Sequence, residues 1–225
     1  MSTVTQAANI RSCRVLERAG AHLTEEFSYQ EVLLRKYTFA RSMFGNVIKE
    51  KLMRYVSSGT RLFEARVEWG NMPLQITYYL GNEPPPVEYV SSVRAIVFRN
   101  RSVLVVKQAN GHLYILPGGR VEKGESLKET LQREMLEETG WTVSDKKLLG
   151  FMHLHHLGVK PENYKYPYPD FLWPIYLAEA GEFSADAKIP DEWVSESEFR
   201  PVEEVKKLPL DKSELLLLDA ALKLR

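Results

Sequence analysis

The sequence predicts an α/β fold in which helices sandwich a mixed β-sheet, preceded by an N-terminal α+β extension. Segments rich in Val and Ile follow one another in the second half of the chain, where a helical segment at 126–139 interrupts them and another at 211–224 ends the chain. Because helices do not separate the strands regularly, a mixed sheet is favoured over a repeating βαβ array. At 225 residues, the chain can form one domain with a large extension.

Residues 1–90 form the predicted extension, which ends in a proline run after Gly81 that we interpret as a connector. Apolar residues recur at three- and four-residue spacing over 28–57, which predicts helix there. The recurring positions are Leu33, Tyr37, Ala40, Phe44, Val47 and Ile48. Residues 61–69 and 73–80 then predict two strands joined by a Gly-Asn turn. The extension is therefore predicted as helices followed by a β-hairpin, and the sequence does not indicate its role.

Residues 91–225 form the second predicted domain. Strands are predicted at 93–98, 103–107, 113–116, 148–156, 171–178 and 193–199. The turn signal Asn100-Arg101 joins the first two, so we expect them to pair antiparallel. The helix at 126–139 ends before Gly140, a residue suited to a C-terminal cap.

Composition and charge narrow the class of protein. Hydrophobic residues make up 44% and charged residues 27%, which excludes a disordered or fibrous chain. The 30 basic side chains equal the 30 acidic ones, so no long nucleic acid is expected as a partner. One cysteine, Cys13, cannot form an intrachain disulfide. No stretch has the apolar length of a secretory signal or a membrane span, so we expect a cytoplasmic location and no membrane partner. Whether the chain forms a homodimer stays open.

The helix at 126–139 places carboxylates where its core-facing stripe should lie. At about 100° per residue, Glu134 and Glu138 lie within about 20° of Leu127. With Glu137 they crowd the last turns, where the helix dipole disfavours negative charge. A divalent cation would offset that cost, and carboxylate oxygens favour Mg²⁺ or Mn²⁺ over zinc. A solvated helix face explains this pattern poorly. From the residues alone, a metal site is one of the interpretations that stay open.

Two features beside the helix have both a structural and a functional interpretation. Gly118 and Gly119 precede the helix, and such a pair forms an ordinary turn or lets backbone approach a metal or phosphate closely. Arg133 can form an ion pair with Glu125 or with a neighbouring glutamate, and we expect a structural role for both residues.

The segment 119–141 resembles the Nudix box, whose pattern is G-x5-E-x7-R-E-U-x-E-E-x-G-U, with U a bulky apolar residue. The fixed positions are Gly119, Glu125, Arg133, Glu134, Glu137, Glu138 and Gly140. Every one of them matches. Trp141 departs from the usual aliphatic residue at the last position, and we expect only a change in packing. The order of strands and helices over 91–225 is also similar to the α/β/α sandwich of this family.

The resemblance implies a Mg²⁺-dependent pyrophosphohydrolase, with Mn²⁺ as an alternative metal. Water would attack phosphorus in the diphosphate of a small nucleoside diphosphate derivative, namely a nucleotide sugar, a dinucleotide or a nucleoside triphosphate. It implies that Glu134, Glu137 and Glu138 are catalytic and hold the metal together with the Gly118 carbonyl. Glu134 would serve as a ligand or as the base. The supporting residues implied are Gly119, Glu125, Arg133 and Gly140.

Two further groups of residues are candidates outside the box. Tyr166, Tyr168 and Phe171 lie in an aromatic segment and can stack on a nucleobase, although a packed loop leading into a core strand also explains them. Some family members use an acidic residue beyond the box. The candidates for that residue here are Asp186, Asp191 and Glu192.

Two other functions compete with the hydrolase. The first is a non-catalytic Nudix domain that senses a nucleotide metabolite, with residues 1–90 as its output region. Such domains often have a broken box, so the intact box favours the enzyme. The second is removal of an RNA cap, which the neutral overall charge disfavours. The identity of the substrate is not indicated by the sequence.

Overall fold

The computed structural model describes residues 2–19, 21–39, 41–189 and 194–225. The chain divides into two compact units, Met1–Arg54 and Tyr55–Arg225, referred to below as the first and the second unit. Within the described ranges, no helix combines the length and the apolar character needed to cross a membrane.

The first unit contains a three-stranded antiparallel sheet and a helix. Its elements are β1 (Ser2–Gln6), α1 (Ile10–Arg18), β2 (Ala21–Tyr29) and β3 (Val32–Phe39), followed by the start of α2 (Arg41–Ser58). The strand order is β1-β3-β2. The Asn9 side chain caps α1 by accepting from the Ser12 amide at 3.1 Å. A small core forms where Cys13, Ala21 and Tyr37 pack together.

The helix predicted over 28–57 is wrong for residues 28–39, which form the end of β2 and all of β3. Residues four apart, such as Leu33 and Tyr37, share one face of a strand as well as of a helix, so their spacing does not separate the two. The hairpin turn uses Gln30 and Glu31 at φ 49° and 64°, without the glycine or asparagine that usually marks such a turn. Ala40 lies outside the described residues, as do the side chains at 44 and 47.

The second unit is built on an eight-stranded mixed sheet. Its strands are β4 (Thr60–Trp69), β5 (Met72–Leu80), β6 (Arg94–Arg99), β7 (Ser102–Gln108), β8 (Leu113–Tyr114), β9 (Trp141–His156), β10 (Asp170–Phe183) and β11 (Val194–Pro201). The order is β11-β7-β6-β10-β9-β5-β4, and β8 pairs with β7. Only β6 and β10 pair in parallel among these strands. The expected antiparallel pairing of β6 with β7 is confirmed. Trp193, the predicted start of the last strand, lies outside the described residues.

Helices cover both faces of this sheet. They are α3 (Leu127–Thr139), the short α4 (Val202–Val205) and α5 (Lys212–Leu224). Side chains alternate along β6, so Val97 packs in one core cluster with Met135 of α3, while the neighbouring Ile96 packs in the other with Leu218 of α5. The predicted α/β fold with a mixed sheet is therefore confirmed.

The β4–β5 hairpin belongs to this same sheet. Gly70 at φ +59° and Asn71 form its turn, and β5 pairs antiparallel with β9 from Leu74 opposite His156 to Leu80 opposite Gly150. The predicted extension, residues 1–90, thus spans the whole first unit and the start of the second. Hydrogen bonding across the proline run, which the sequence does not reveal, joins the hairpin to the later strands.

Candidate active site

Local signals fix both ends of α3. The Ser126 hydroxyl accepts from the Glu129 amide, and the Glu129 carboxylate accepts from the Ser126 amide, which forms a capping box. Gly140 ends the helix at φ +77°, a left-handed conformation suited to glycine. Trp141 packs against two phenylalanine rings at centroid distances of 4.9 and 5.2 Å. The helix therefore holds its three late glutamates in fixed register.

Arg133 joins the loop before the helix to the glutamates on it. Its Nε and Nη2 donate to the two carboxylate oxygens of Glu125 at 2.7 and 3.0 Å, so the expected ion pair is present and bidentate. Its Nη1 donates to Glu134 at 2.9 Å and to Glu137 at 3.2 Å. Its Nη2 also donates to the Arg120 carbonyl at 3.0 Å. The Arg133 hydrogen bonds lower the pKa of Glu125 to about 2.

The glycine turn lies directly against two of the glutamates. The Gly118 amide donates to Glu138 Oε2 at 3.1 Å. Gly118 has φ +129°, and a β-carbon there would collide with the Val93 carbonyl. A β-carbon on Gly119 would collide with the carboxylate of Glu134. Both close approaches therefore require glycine. The group that comes close is the Val93 backbone at Gly118 and the Glu134 carboxylate at Gly119.

Glu134 is the most enclosed member of the Arg133 network. Its side chain is 14% exposed, against 34% for Glu137. Burial raises the pKa of Glu134 above its ordinary value, although Arg133 opposes that shift by donating to it. Glu134 therefore combines restricted contact with water and a fixed position beside the turn.

The donor chemistry of this patch fits a divalent cation. Among the described residues, no three His, Cys, Asp or Glu side chains converge on one point as they stand. Instead, Arg133 engages Glu134 and Glu137, and the Gly118 amide engages Glu138. The carboxylates nevertheless share one patch beside the glycine turn, and oxygen ligands of this kind suit Mg²⁺ and Mn²⁺.

The segment with the acidic candidates outside the box passes the end of α3. The Ser184 amide donates to the Gly140 carbonyl at 2.8 Å, and the Ile189 amide donates to the Glu137 carbonyl at 2.9 Å. Asp186 lies between them in an exposed 3₁₀ turn. Asp191 and Glu192 lie outside the described residues.

A cavity of about 280 Å³ opens in the second unit. Its aromatic wall consists of Trp69, His156, Tyr164, Tyr166, Phe171 and Trp173. Two of the aromatic residues proposed from the sequence, Tyr166 and Phe171, therefore line a cavity. Tyr168 does not, because its hydroxyl donates to the Gly158 carbonyl at 2.6 Å instead.

Backbone pairing places this cavity beside the glycine turn. The Val93 amide donates to the Gly119 carbonyl at 2.9 Å, and the Val121 amide donates to the Ser91 carbonyl at 3.2 Å. Arg94 and Arg120, on the two paired segments, both line the cavity.

Arg94 connects the cavity to the carboxylate patch. Its guanidinium lies 4.7 Å from the Trp173 ring centroid and interacts electrostatically with Glu138 and Glu134. Sequence reasoning missed Arg94 and Arg120. A charged residue at the start of an otherwise apolar strand was the available signal for Arg94, whereas Arg120 carried none.

Several known proteins are similar to parts of this chain. An ADP-ribose pyrophosphatase of Methanocaldococcus jannaschii is 39% identical over 62 residues, 26% of this chain and 37% of that protein. Two Bacillus subtilis proteins are 34% and 40% identical over 76 and 55 residues, which cover 34% and 24% of this chain. The matches span little more than a third of the length of these relatives. A solved NUDIX hydrolase from Nitrosomonas europaea aligns at 20% identity and a TM-score of 0.45, over 60% of this chain and 89% of that one.

A match over a longer part of the chain identifies the family. The NUDIX domain model matches residues 88–219, more than half of the chain, and includes the glycine turn, all of α3 and most of the sheet. The chain belongs to the NUDIX family.

Proposed function

We propose that the chain is a metal-dependent pyrophosphohydrolase that cleaves the diphosphate of a nucleoside diphosphate derivative by attack of water on phosphorus. The observation that carries this proposal is the contact of Glu134 and Glu138 with the Gly118-Gly119 turn, beside a cavity large enough for part of a nucleotide. The name of the Methanocaldococcus jannaschii relative, an ADP-ribose pyrophosphatase, supports the substrate class.

In this proposal the carboxylates of Glu134, Glu137 and Glu138 and the carbonyl of Gly118 would hold the metal. Mg²⁺ or Mn²⁺ bound there would neutralise charge on the diphosphate and favour attack by water. These residues lie within the predicted hydrolase domain, 91–225. A small nucleotide in the cytoplasm is the proposed substrate.

The other residues of the site position these groups. Glu125 holds the Arg133 guanidinium through two hydrogen bonds, and Arg133 in turn holds Glu134 beside the turn. A carboxylate fixed there can accept a proton from the attacking water or take part in metal binding. Arg94 supplies positive charge between the carboxylates and the cavity, where phosphate oxygens would pass.

The test compares wild type with Glu138→Gln, and Glu122→Gln serves as a matched control on an exposed side chain of the same segment. Release of phosphate products is measured with Mg²⁺ on ADP-ribose, NADH, a sugar nucleotide, a dinucleoside polyphosphate and a nucleoside triphosphate. Gln keeps an oxygen that can accept from the Gly118 amide, so the fold should persist. We expect kcat to fall at least about 100-fold in Glu138→Gln and to stay unchanged in Glu122→Gln.

Two results would contradict the proposal. Wild-type turnover retained by Glu138→Gln would show that the metal assignment is wrong. Nucleotide binding by the wild type without turnover of any of these compounds would favour a non-catalytic sensor of nucleotides.

A further inference from the structure

The wall of the cavity beside the carboxylate patch includes a part of the chain that the family match does not cover. Trp69, Met72 and Leu74 come from the β4–β5 hairpin, whereas the family match begins at residue 88. The hairpin is held in place by the pairing of β5 with β9. This part of the cavity wall therefore lies outside the matched domain.

Trp69 stands at the tip of that hairpin, next to its two-residue turn. The Trp69 and Trp173 rings meet edge to face, with centroids 5.3 Å apart and planes at 83°. Trp69 is 49% exposed, so a large part of its apolar surface is available at the mouth of the cavity. Exposed aromatic surface in a concave site is the feature on which planar ligands stack.

One residue that lines the cavity has a buried hydroxyl without a protein partner among the described residues. Ser92 is 2% exposed and lines the cavity, yet its Oγ has no hydrogen-bond partner among the described residues. Buried polar groups are normally satisfied, so this hydroxyl is available to bond a ligand once rotation of the Ser92 side chain turns it into the cavity. A hydroxyl both donates and accepts, which suits the polar edge of a nucleobase.

The charged residues around the cavity indicate where each end of such a ligand would lie. Arg94 stacks on Trp173 and interacts electrostatically with Glu134 and Glu138, so the cationic side of the cavity faces the carboxylate patch. Phosphates belong on that side. The aromatic hairpin side is then left for a planar, uncharged group. A volume of about 280 Å³ lies near the lower end of ligand pockets, which suits a single nucleoside.

From these observations we infer that Trp69 stacks on the nucleobase of the substrate, that the Ser92 hydroxyl bonds to the same nucleoside, and that the hairpin thereby determines specificity. This inference rests on the proposed function for its substrate class. Stacking tolerates different bases because each base has a π-face. Trp69 should therefore raise the affinity for any nucleotide relative to that for a sugar phosphate without a base.

The experiment measures binding rather than turnover. Isothermal titration calorimetry without metal is run with AMP, GMP, CMP and UMP, and with ribose 5-phosphate as a probe that lacks the base. The variants are Trp69→Ala, Trp69→Phe and Ser92→Ala. Val67→Ala is the matched control, since Val67 lies on the same strand, is exposed and does not line the cavity. A thermal melt of each variant confirms folding.

We expect Trp69→Ala to weaken the tightest nucleoside monophosphate about tenfold or more and to leave ribose 5-phosphate unchanged. Trp69→Phe should recover most of that affinity, and Ser92→Ala should weaken the nucleotide severalfold without lowering the melting temperature. Val67→Ala should bind like wild type. Unchanged nucleotide binding in Trp69→Ala, an equal loss for ribose 5-phosphate, or no binding of any nucleotide by the wild type would overturn the inference.

The two proposals fail separately. If Glu138→Gln abolishes turnover but Trp69→Ala binds nucleotides like wild type, the hydrolase stands and the role of Trp69 is wrong. If Trp69→Ala loses nucleotide binding but the wild type turns over none of the diphosphate compounds, the role of Trp69 stands and the hydrolase is wrong.

Discussion

Gly118 and Gly119 are neighbours in sequence, but a methyl group added to each would meet different atoms. At Gly118 it would meet the Val93 carbonyl, which is backbone and cannot move aside, and φ +129° adds strain. At Gly119 it would meet the carboxylate of Glu134, the end of a flexible side chain. Substitution at Gly118 therefore tests the stability of the turn, whereas substitution at Gly119 tests the position of the Glu134 carboxylate.

We expect Gly118→Ala to lower the free energy of unfolding by about 2–4 kcal/mol, because backbone has to shift. Gly119→Ala should lower it by less than about 1 kcal/mol but reduce kcat at least about tenfold, because Glu134 is displaced. Urea unfolding and steady-state kinetics on both variants check this. Full turnover by Gly119→Ala would show that the position of Glu134 against the turn does not matter.

Glu214 is a buried carboxyl far from this chemistry in sequence. It is 4% exposed, its Oε1 accepts from the Ile115 amide at 2.9 Å, and its Oε2 has no partner among the described residues. Burial raises the pKa of Glu214 from about 4.5 to about 7. Between those values the folded chain retains a proton that the unfolded chain has lost, so this group lowers stability as pH rises through that window.

Glu214→Gln removes that titration and keeps an oxygen for the Ile115 amide. Relative to wild type, we expect the variant to gain stability on the order of 3 kcal/mol between pH about 4.5 and pH about 7.5. Denaturant midpoints measured across this pH range check the prediction. The exposed Glu204→Gln is the control and should show no such trend. A parallel pH profile for Glu214→Gln and wild type would refute the protonated state.

At the scale of elements, α3 and the β2–β3 hairpin show which structures can be predicted from sequence. The signals for α3 lie next to it, since Ser126 with Glu129 starts the helix and Gly140 ends it. The hairpin has no comparable signal, because Gln30 and Glu31 adopt positive φ without being glycine or asparagine. Local residue signals therefore predict the helix α3 but not the β2–β3 hairpin.

The candidate site likewise has one part that the sequence predicts and one part that it does not predict. The glutamates and glycines lie within one short segment, so their proximity follows from a single helix and the turn before it. Trp69 and Arg94 line one cavity because β5 pairs with β9 and because residues 91–95 pair with 117–121. Pairing between distant segments is not encoded in local spacing, and the cavity could not be predicted for that reason.

The end of α3 offers a direct test of its cap. A β-carbon on Gly140 would lie 2.8 Å from the Phe183 ring and 2.9 Å from the Ser184 carbonyl, whereas one on Gly124 would meet nothing within 4 Å. Both glycines have positive φ. We expect Gly124→Ala to cost about 1–2 kcal/mol of unfolding free energy from strain alone, and Gly140→Ala at least about 1 kcal/mol more. Equal losses in denaturant unfolding would contradict the packing argument.

At the scale of the whole molecule, the core clusters that the described side chains form differ in size between the two units. Among the described side chains of the first unit, Cys13, Ala21 and Tyr37 form a core cluster with Leu16 against it, and Leu52 is also buried. The second unit has two extensive clusters, one on each face of its sheet. Local stability follows the amount of buried apolar surface, so the units should open with different free energies.

Native-state hydrogen exchange measures this difference. We expect backbone amides of β1 and β3 to exchange about a hundredfold or more faster than those in the middle of β9 and β10. Amides of β9 and β10 serve as the internal reference in the same sample. Similar protection in both sets would show that the chain opens as one cooperative unit.

The β4–β5 hairpin also has a consequence for how this protein can change over generations. Trp69 and Met72 flank a two-residue turn at its tip and lie outside the residues that the family model matches. Mutations there alter the cavity wall while leaving the glutamate helix and its glycine turn untouched. If Trp69 contacts the substrate as proposed, selection can therefore change ligand preference through one exposed loop while the reaction at the glutamate helix is retained.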